Sequence, residues 1–407
     1  MTRYYTRGNF LKVAAASGTA FFGGPLLAAA PACAATHNGY VDSLTNRRMT
    51  QLTNWINWLA KTGAQGFIGE VEQPNNYNDR SKFTDQAQWA ALADTYFTKC
   101  DSAGLVYTEQ ECSEQYYNTP FGGYHASIYR SARDGSKKSV SVPAYQSAVL
   151  ERHAAAHPGM VGVNFSGGQK FDEGINSNTN PGTYNSLYWF PTANSNPVCP
   201  NTGMNSFQFL ASRGIKIVRV GFRWERMQPS LNDALNPTEL KHLKQCISNA
   251  SAAGLSVIMD LHNYGGYCIS SGRLALNSSA LPVSAYQDVW KKLSAEFASE
   301  PTVVGYDIMN EPYAYGGIAA GSYGSAGKAW EAITQTVVDA LRDLGDTTQI
   351  NIPTYCTLQN TPRKHTKPWI VNGGDIAYTS HDYWDDSGGD YRNDYSYYNR
   401  RAAHKGH

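Results

Sequence analysis

The sequence predicts an α/β fold: a (β/α)8 TIM barrel, circularly permuted so that strands seven and eight precede strand one in the chain. Three observations carry this. From Gly162 to Tyr383, six strand-like runs alternate with helix-like runs, the pattern of a parallel sheet. Only residues 384–407 follow, a C-terminal tail too short for two more units of roughly 30 residues each. The segment before Gly162 reads helix, strand, helix, strand, helix, which is the missing remainder in order. In a closed barrel the first and last units are neighbours, so new chain ends can be cut elsewhere.

Taken in order, Thr45 to Lys61 places Met49, Leu52, Trp55, Ile56 and Leu59 on one helical stripe, and Gly66–Val71 follows as a strand. A helix over Gln86–Ser102, a strand over Leu105–Gln110 and a helix over Ala144–His157 complete the segment that supplies helix six to helix eight, residues 36–160. Val161–Phe165 is strand one. After a long polar loop come a helix over Ser206–Ser212, the strand Ile215–Val220, a helix over Thr238–Ala253 and the strand Leu255–His262. A helix over Ala285–Ala298 leads to Thr302–Met309, a nearly continuous apolar run like a strand buried on both faces. Ala326–Leu344 is helical, Gln349–Ile352 is a weak fifth strand, and Ile376–Tyr383 is the sixth, so residues 161–383 supply strands one to six. The alternative arrangement is a separate N-terminal subdomain.

Residues 1–35 read as a secretory signal: Arg3, Arg7 and Lys12, an apolar stretch to Ala30, then Pro31-Ala32-Cys33-Ala34-Ala35. Thr6-Arg7-Gly8 is close to a twin-arginine signal but has glycine in place of the second arginine, so either a Sec or a twin-arginine-like route fits. The expectation is a secreted, monomeric protein with one catalytic domain over 36–407. Charged residues make up 16% of the chain and aromatics 12%, with 27 Tyr and a net charge of +1. That balance suits neutral polar ligands and argues against nucleic acid or anionic membranes as partners. Nothing after the signal is apolar for long enough to span a bilayer. Cys100, Cys112, Cys199, Cys246, Cys268 and Cys356 remain, an even number in an oxidising compartment, which predicts disulfides of unresolved pairing. No Cys/His cluster suggests a metal, and no cofactor is expected.

The strand ends carry the chemistry. Thr302–Met309 stops at Asn310-Glu311-Pro312, which puts a carboxylate where a buried strand surfaces at the C-terminal rim of a barrel. On the same rim are Arg219, followed by GFRWER with Trp224; Asp260-Leu261-His262-Asn263-Tyr264; His381-Asp382-Tyr383; and Gly69-Glu70. With its motifs VRVGFRWERMQP, VIMDLHNYGG, GYDIMNEP, YTSHDYWD and GFIGEVEQPNN, the sequence resembles the clan A retaining glycoside hydrolases, specifically glycoside hydrolase family 5, the cellulase-like barrels. The resemblance covers nearly all the mature chain once reordered. It implies an endo-β-glycosidase that cleaves a polysaccharide by double displacement, with Glu311 as acid/base and Glu70 as nucleophile. Glu72 is the rival nucleophile, two residues further on. By the same resemblance Asn310 bonds the sugar 2-hydroxyl, Arg219 and Tyr383 hold Glu70, and His262 and His381 bond sugar or carboxylates. Asn263 and Trp224 join them as substrate-binding residues.

One position departs from the family. Strand eight usually ends in a tryptophan that floors the sugar site, and here Gln110 stands in its place, flanked by Glu109 and Glu111. Preference for plain β-1,4-glucan therefore does not carry over, and a non-cellulosic or decorated glycan becomes an alternative substrate. Two long loops on this rim hold Tyr116, Tyr117, Phe121, Tyr124 and Tyr129, and Tyr184, Tyr188, Trp189 and Phe190. Such aromatics either stack on sugar rings or pack the loops down. Transglycosylation by the same mechanism, and a barrel that binds polysaccharide without turnover, are the competing functions.

Overall fold

The computed structural model describes residues 39–72, 86–114, 128–130, 142–143, 147–169, 190–191, 202–312, 323–357 and 367–384. The proposed signal segment lies outside them. Eight parallel strands form a closed barrel in the order Gln65–Glu72, Ile376–Tyr383, Gln349–Thr357, Val303–Asp307, Ser256–Leu261, Ile217–Phe222, Val161–Ser166 and Val106–Ser113, which returns to the first. The N-terminal strand 65–72 thus lies between 376–383 and 106–113, and 106–113 pairs in turn with 161–166.

Helices pack outside the ring: Gly39–Thr62, Gln86–Ser102, Ser147–Ala156, Ser206–Ser212, Pro237–Ala252, Val283–Phe297 and Tyr323–Arg342. Their starts follow local chemistry. Asn205 accepts from the backbone of Gln208 while the Gln208 side chain returns a bond to Asn205, a full capping box. Asn236 caps the helix that Pro237 opens, where a missing N–H costs nothing. Trp55, Trp89, Trp290 and Trp330 fill the layer between helices and strands with no exposure above 1%. Each such burial contributes on the order of 2–3 kcal/mol.

Three features go beyond the sequence reading. A single helical turn, Trp224–Met227, follows strand 217–222, and an antiparallel hairpin, Gly266–Ile269 with Gly272–Ala275, covers the exit of strand 256–261. Strand 106–113 runs three residues past its expected end and pairs with the short segment Tyr129–Arg130. The predicted disulfides are not present among the described cysteines: Cys100, Cys112, Cys246 and Cys268 are buried thiols. Burial pushes the Cys268 thiol up to about 11, with Glu225 adding to the rise. Cys100, Cys246 and Cys268 belong to two different helices and a hairpin, so an even count does not bring them together. Cys199 and the side chain of Cys356 lie outside the described residues. No helix among the described residues is long and apolar enough to cross a membrane.

Strand alternation sorts the barrel interior into layers. Phe67, Val106, Ile217, Ile258 and Ala377 form its apolar floor, with Val304 against them. Two residues further along those strands the inward positions are Gly69, Thr108, Arg219, Asp260 and Thr379. Room there is tight: a Cβ on Gly162 would come within 2.7 Å of both the Cβ and the carbonyl oxygen of Ile217. Another two residues on, the mouth is reached.

Candidate active site

The period of two would aim Val71, not Glu70, into the barrel. A break in register between Ile68 and Glu70 changes this, and Ile68 and Val71 both pack in the outer core. A β-bulge of this kind re-aims one side chain, here the Glu70 carboxylate. The side chain of Glu72 is outside the described residues. Across the mouth, Glu311 follows strand 303–307 with φ of 37°, a left-handed conformation that costs a non-glycine residue about 1–2 kcal/mol. Tyr264, at the end of the neighbouring strand, has φ of 54°, and its N–H donates to the carbonyl of Asn310 at 3.0 Å. The N–H of Asn310 donates in turn to Leu261 at 2.8 Å. The two strand exits are therefore tied by backbone before any side chain acts.

Oxygens of Glu70 and Glu311 and a nitrogen of His381 all lie within 4.8 Å of one another. The Tyr383 hydroxyl is 2.5 Å from Glu70 Oε2 and also bonds Glu311 Oε1. One hydroxyl has one proton, so bonding both carboxyl groups requires a second proton on one of them. Arg219 stands on the Glu70 side, with Nη1 donating to Oε1 at 2.9 Å, and places the negative charge there. His381 Nδ1 is 2.9 Å from Glu311 Oε1 and 3.6 Å from Glu70 Oε2. Burial lowers the His381 pKa, but Glu70 and Glu311 outweigh it and hold the imidazole above its ordinary value. Burial, Glu311 and Glu70 push the Tyr383 phenol well up, so it remains a donor.

Arg219 is almost fully enclosed, and burial alone would lower its pKa; Asp260, Asp307 and Glu70 instead raise it. Its Nη2 donates to Asn310 Oδ1 at 2.8 Å, which orients the Asn310 amide. Asn164, from strand 161–166, accepts from Arg219 at 2.9 Å and donates to the carbonyl of Gly69 at 2.8 Å, buttressing the bulge. His262 donates through Nδ1 to Asp260 at 2.6 Å, which leaves Nε2 as acceptor for the Tyr264 hydroxyl at 2.8 Å and the Asn310 amide at 3.3 Å.

Two expected substrate contacts are placed elsewhere. Trp224 is fully buried, its indole N–H bonded to Gln228 at 3.1 Å and its ring edge-on to Tyr267. Asn263 accepts from the Trp224 N–H and donates to Glu225 and Gly266. Both lock the loops behind the mouth, and neither presents a free face to a sugar. Tyr129 and Phe190 are likewise buried, Tyr129 donating to Glu151 at 3.0 Å; the other loop aromatics lie outside the described residues. Gln110 is half-buried and stands opposite Glu72 in the register of the first two strands. Asn164 and Asp307 belong to the site and escaped the sequence reading, while Asp260 and Tyr264 were placed on the rim without a role. The two aspartates had a signal: each is a lone carboxylate in a mostly apolar strand run, SVIMDL and VVGYD.

Gly69 gives a direct test of this packing. A Cβ there would lie 2.7 Å from His381 Nε2 and 2.8 Å from Thr379 Cγ2. Gly69→Ala is expected to push the imidazole off Glu311 and cut kcat about 10- to 100-fold, a displacement penalty of the usual size. Steady-state kinetics with a thermal melt checks it.

The sequence model of the cellulase family, glycosyl hydrolase family 5, matches residues 174–404, more than half of the chain. The chain belongs to glycosyl hydrolase family 5. Among relatives in this family, it is 31% identical over 151 residues to endoglucanase gh5-1 of Neurospora crassa, covering 37% of this chain and 32% of that one. It is 28% identical over 153 residues to the manganese dependent endoglucanase Eg5A of Phanerodontia chrysosporium, covering 37% and 36%. The chain thus spans about a third of the length of these curated relatives. The solved structure of Pseudomonas stutzeri endoglucanase Cel5A aligns with a TM-score of 0.44 and 31% identity, over 55% of this chain and 62% of that one.

Proposed function

We propose that this family 5 protein is a secreted, retaining endo-β-glycosidase of the endo-β-1,4-glucanase type. The observation that carries the mechanism is the narrow gap between the two glutamates: one oxygen of each lies within 4.8 Å of the other, bridged by the Tyr383 hydroxyl. Retaining glycosidases hold their carboxyl groups about 5–5.5 Å apart, whereas inverting ones leave about 6.5–9.5 Å for a water. In this reading Glu311 gives its proton to the glycosidic oxygen while Glu70 attacks the anomeric carbon. The bond to the leaving sugar breaks and a glycosyl ester of Glu70 forms. Glu311, now a carboxylate, takes a proton from water, which attacks the same carbon and releases Glu70 with net retention. Tyr383 and Arg219 keep Glu70 oriented, and Asn310, His262 and His381 are the groups offered to sugar hydroxyls. The endoglucanase names of the relatives support the substrate class.

The chain is further read as a circularly permuted member of the family, one domain over residues 36–407 behind a secretory segment at 1–35. Its support is that strands 65–72 and 106–113, which precede the matched region, fill the two barrel positions between strands 376–383 and 161–166.

The function is tested by incubating purified protein with a panel of polysaccharides and following the products by proton NMR. Internal cleavage with β-configured new ends is expected; α-configured first products, or no cleavage of any β-glycan, would contradict it. Gln110 supports a second reading of the substrate, a decorated or non-cellulosic glycan. An amide replacing a stacking ring is offset only if it makes hydrogen bonds. Gln110→Trp is then expected to lower kcat/KM on the preferred glycan by about tenfold, roughly one lost hydrogen bond. Strong turnover of plain cellulose, unharmed by the substitution, would sink that reading.

A further inference from the structure

We propose that Asp307 is a positioning residue of this site, which fixes the guanidinium of Arg219 from behind and so keeps Glu70 and Asn310 in place. The inference rests on the catalytic roles proposed above. A guanidinium presents five N–H donors in one plane. Here Nε donates to Asp307 Oδ2 at 2.8 Å, Nη1 to Glu70 Oε1 and Asn164 Oδ1 at 2.9 Å each, and Nη2 to Asn310 Oδ1 at 2.8 Å, with Asp260 Oδ1 3.0 Å away. Asp307 thus holds the inner nitrogen of the plane, while the outer nitrogens carry the contacts to the reacting groups. Asp307 itself is fully buried, and its hydrogen bond to the site is the one from Arg219.

The charges of the cluster support the geometry. Three buried carboxylates, Glu70, Asp260 and Asp307, converge on one guanidinium. Burial pushes Asp307 up to about 7; Arg219 opposes the rise, Asp260 adds to it and His381 opposes it. Tyr286, from the helix outside the strand, also faces it, and Glu70 lies on the far side of Arg219. Among the described residues Asp307 Oδ1 has no hydrogen-bond partner, which leaves one oxygen to take the proton. As that proton leaves near neutrality, the added negative charge favours retention of the proton on Glu311.

The test compares native protein, Asp307→Asn and Asp307→Ala on a soluble β-1,4-glucan across pH, with the Arg219 Nε–H resonance followed by NMR. Alanine removes the acceptor for Nε, and kcat is expected to fall about 10- to 100-fold with KM within about twofold. Asparagine keeps an acceptor of the same shape and should restore kcat to within about threefold at acid pH, with the alkaline limb of kcat/KM about half a unit lower than native. A purely structural role would not move that limb. The inference is overturned if asparagine is as impaired as alanine with an unmoved limb, or if both variants behave as native. Should the alanine variant not fold, the isosteric asparagine variant carries the test alone. If native protein cleaves no glycan, the proposed function fails, but the Nε–H resonance still decides: it should shift in asparagine, and an unchanged position overturns the inference.

Discussion

Replacing Glu70 or Glu311 with glutamine is expected to lower kcat by about 10³–10⁴-fold or more while the protein stays folded. Glutamine at 70 keeps the shape that meets Arg219 and Tyr383 but cannot form the glycosyl ester. Glutamine at 311 keeps a partner for His381 but has no proton to give the leaving oxygen. The two losses should differ in rescue. In Glu311→Ala, added azide can enter the vacated space, attack the glycosyl ester on Glu70 and yield a β-glycosyl azide, so turnover of an activated substrate partly returns. In a Glu70→Ala variant no such ester forms, and the same product would not appear. If Glu72→Gln loses activity and Glu70→Gln keeps it, the bulge at Ile68/Glu70 has been misassigned its purpose.

Arg219→Met should cost about 3–5 kcal/mol of stability, the usual penalty for removing one partner of a buried ion pair. Methionine fills much of the volume but leaves Glu70, Asp260 and Asp307 without the cation they share. The pH dependence follows from sign. A buried carboxyl without its cation has a folded pKa above its unfolded value, as Asp307 already does. Its favourable contribution is full below the unfolded pKa and is lost as pH rises through the folded one. The variant should therefore approach native stability in acid and fall furthest behind near and above neutrality. Denaturation midpoints across pH check this; a penalty independent of pH would contradict it.

The barrel was legible in the sequence because its strands are buried on both faces and so appear as apolar runs between amphipathic helices. The count of those runs placed residues 65–72 beside 376–383, as the pairing has it. Glu311 was legible because an apolar run ends on it. What was not legible depends on contacts between segments. Trp224 and Asn263 stand in the right motifs, but the Trp224 indole turns to Gln228 and the Asn263 side chain to the Trp224 backbone and Glu225, because the extra helical turn and the hairpin bury them. The bulge that aims Glu70 is a register effect that side-chain order does not reveal. Of the two roles open to Tyr129, the structure has the packing one: it donates to Glu151, and its segment pairs with the end of strand 106–113. Among the described residues, Cys100, Cys112, Cys246 and Cys268 are buried thiols, so the even cysteine count did not reveal which of them would stay as thiols.

The central claim is that Glu70 forms a glycosyl ester opposite Glu311, and the most direct measurement is mass spectrometry of protein trapped with an activated 2-deoxy-2-fluoro glycoside. Slow turnover of the ester by this substrate should leave one sugar per chain, on the peptide spanning strand Gln65–Glu72, with fragmentation placing it on Glu70. An adduct on Glu72 or Glu311, or no adduct on protein that cleaves the parent glycan, would contradict the account.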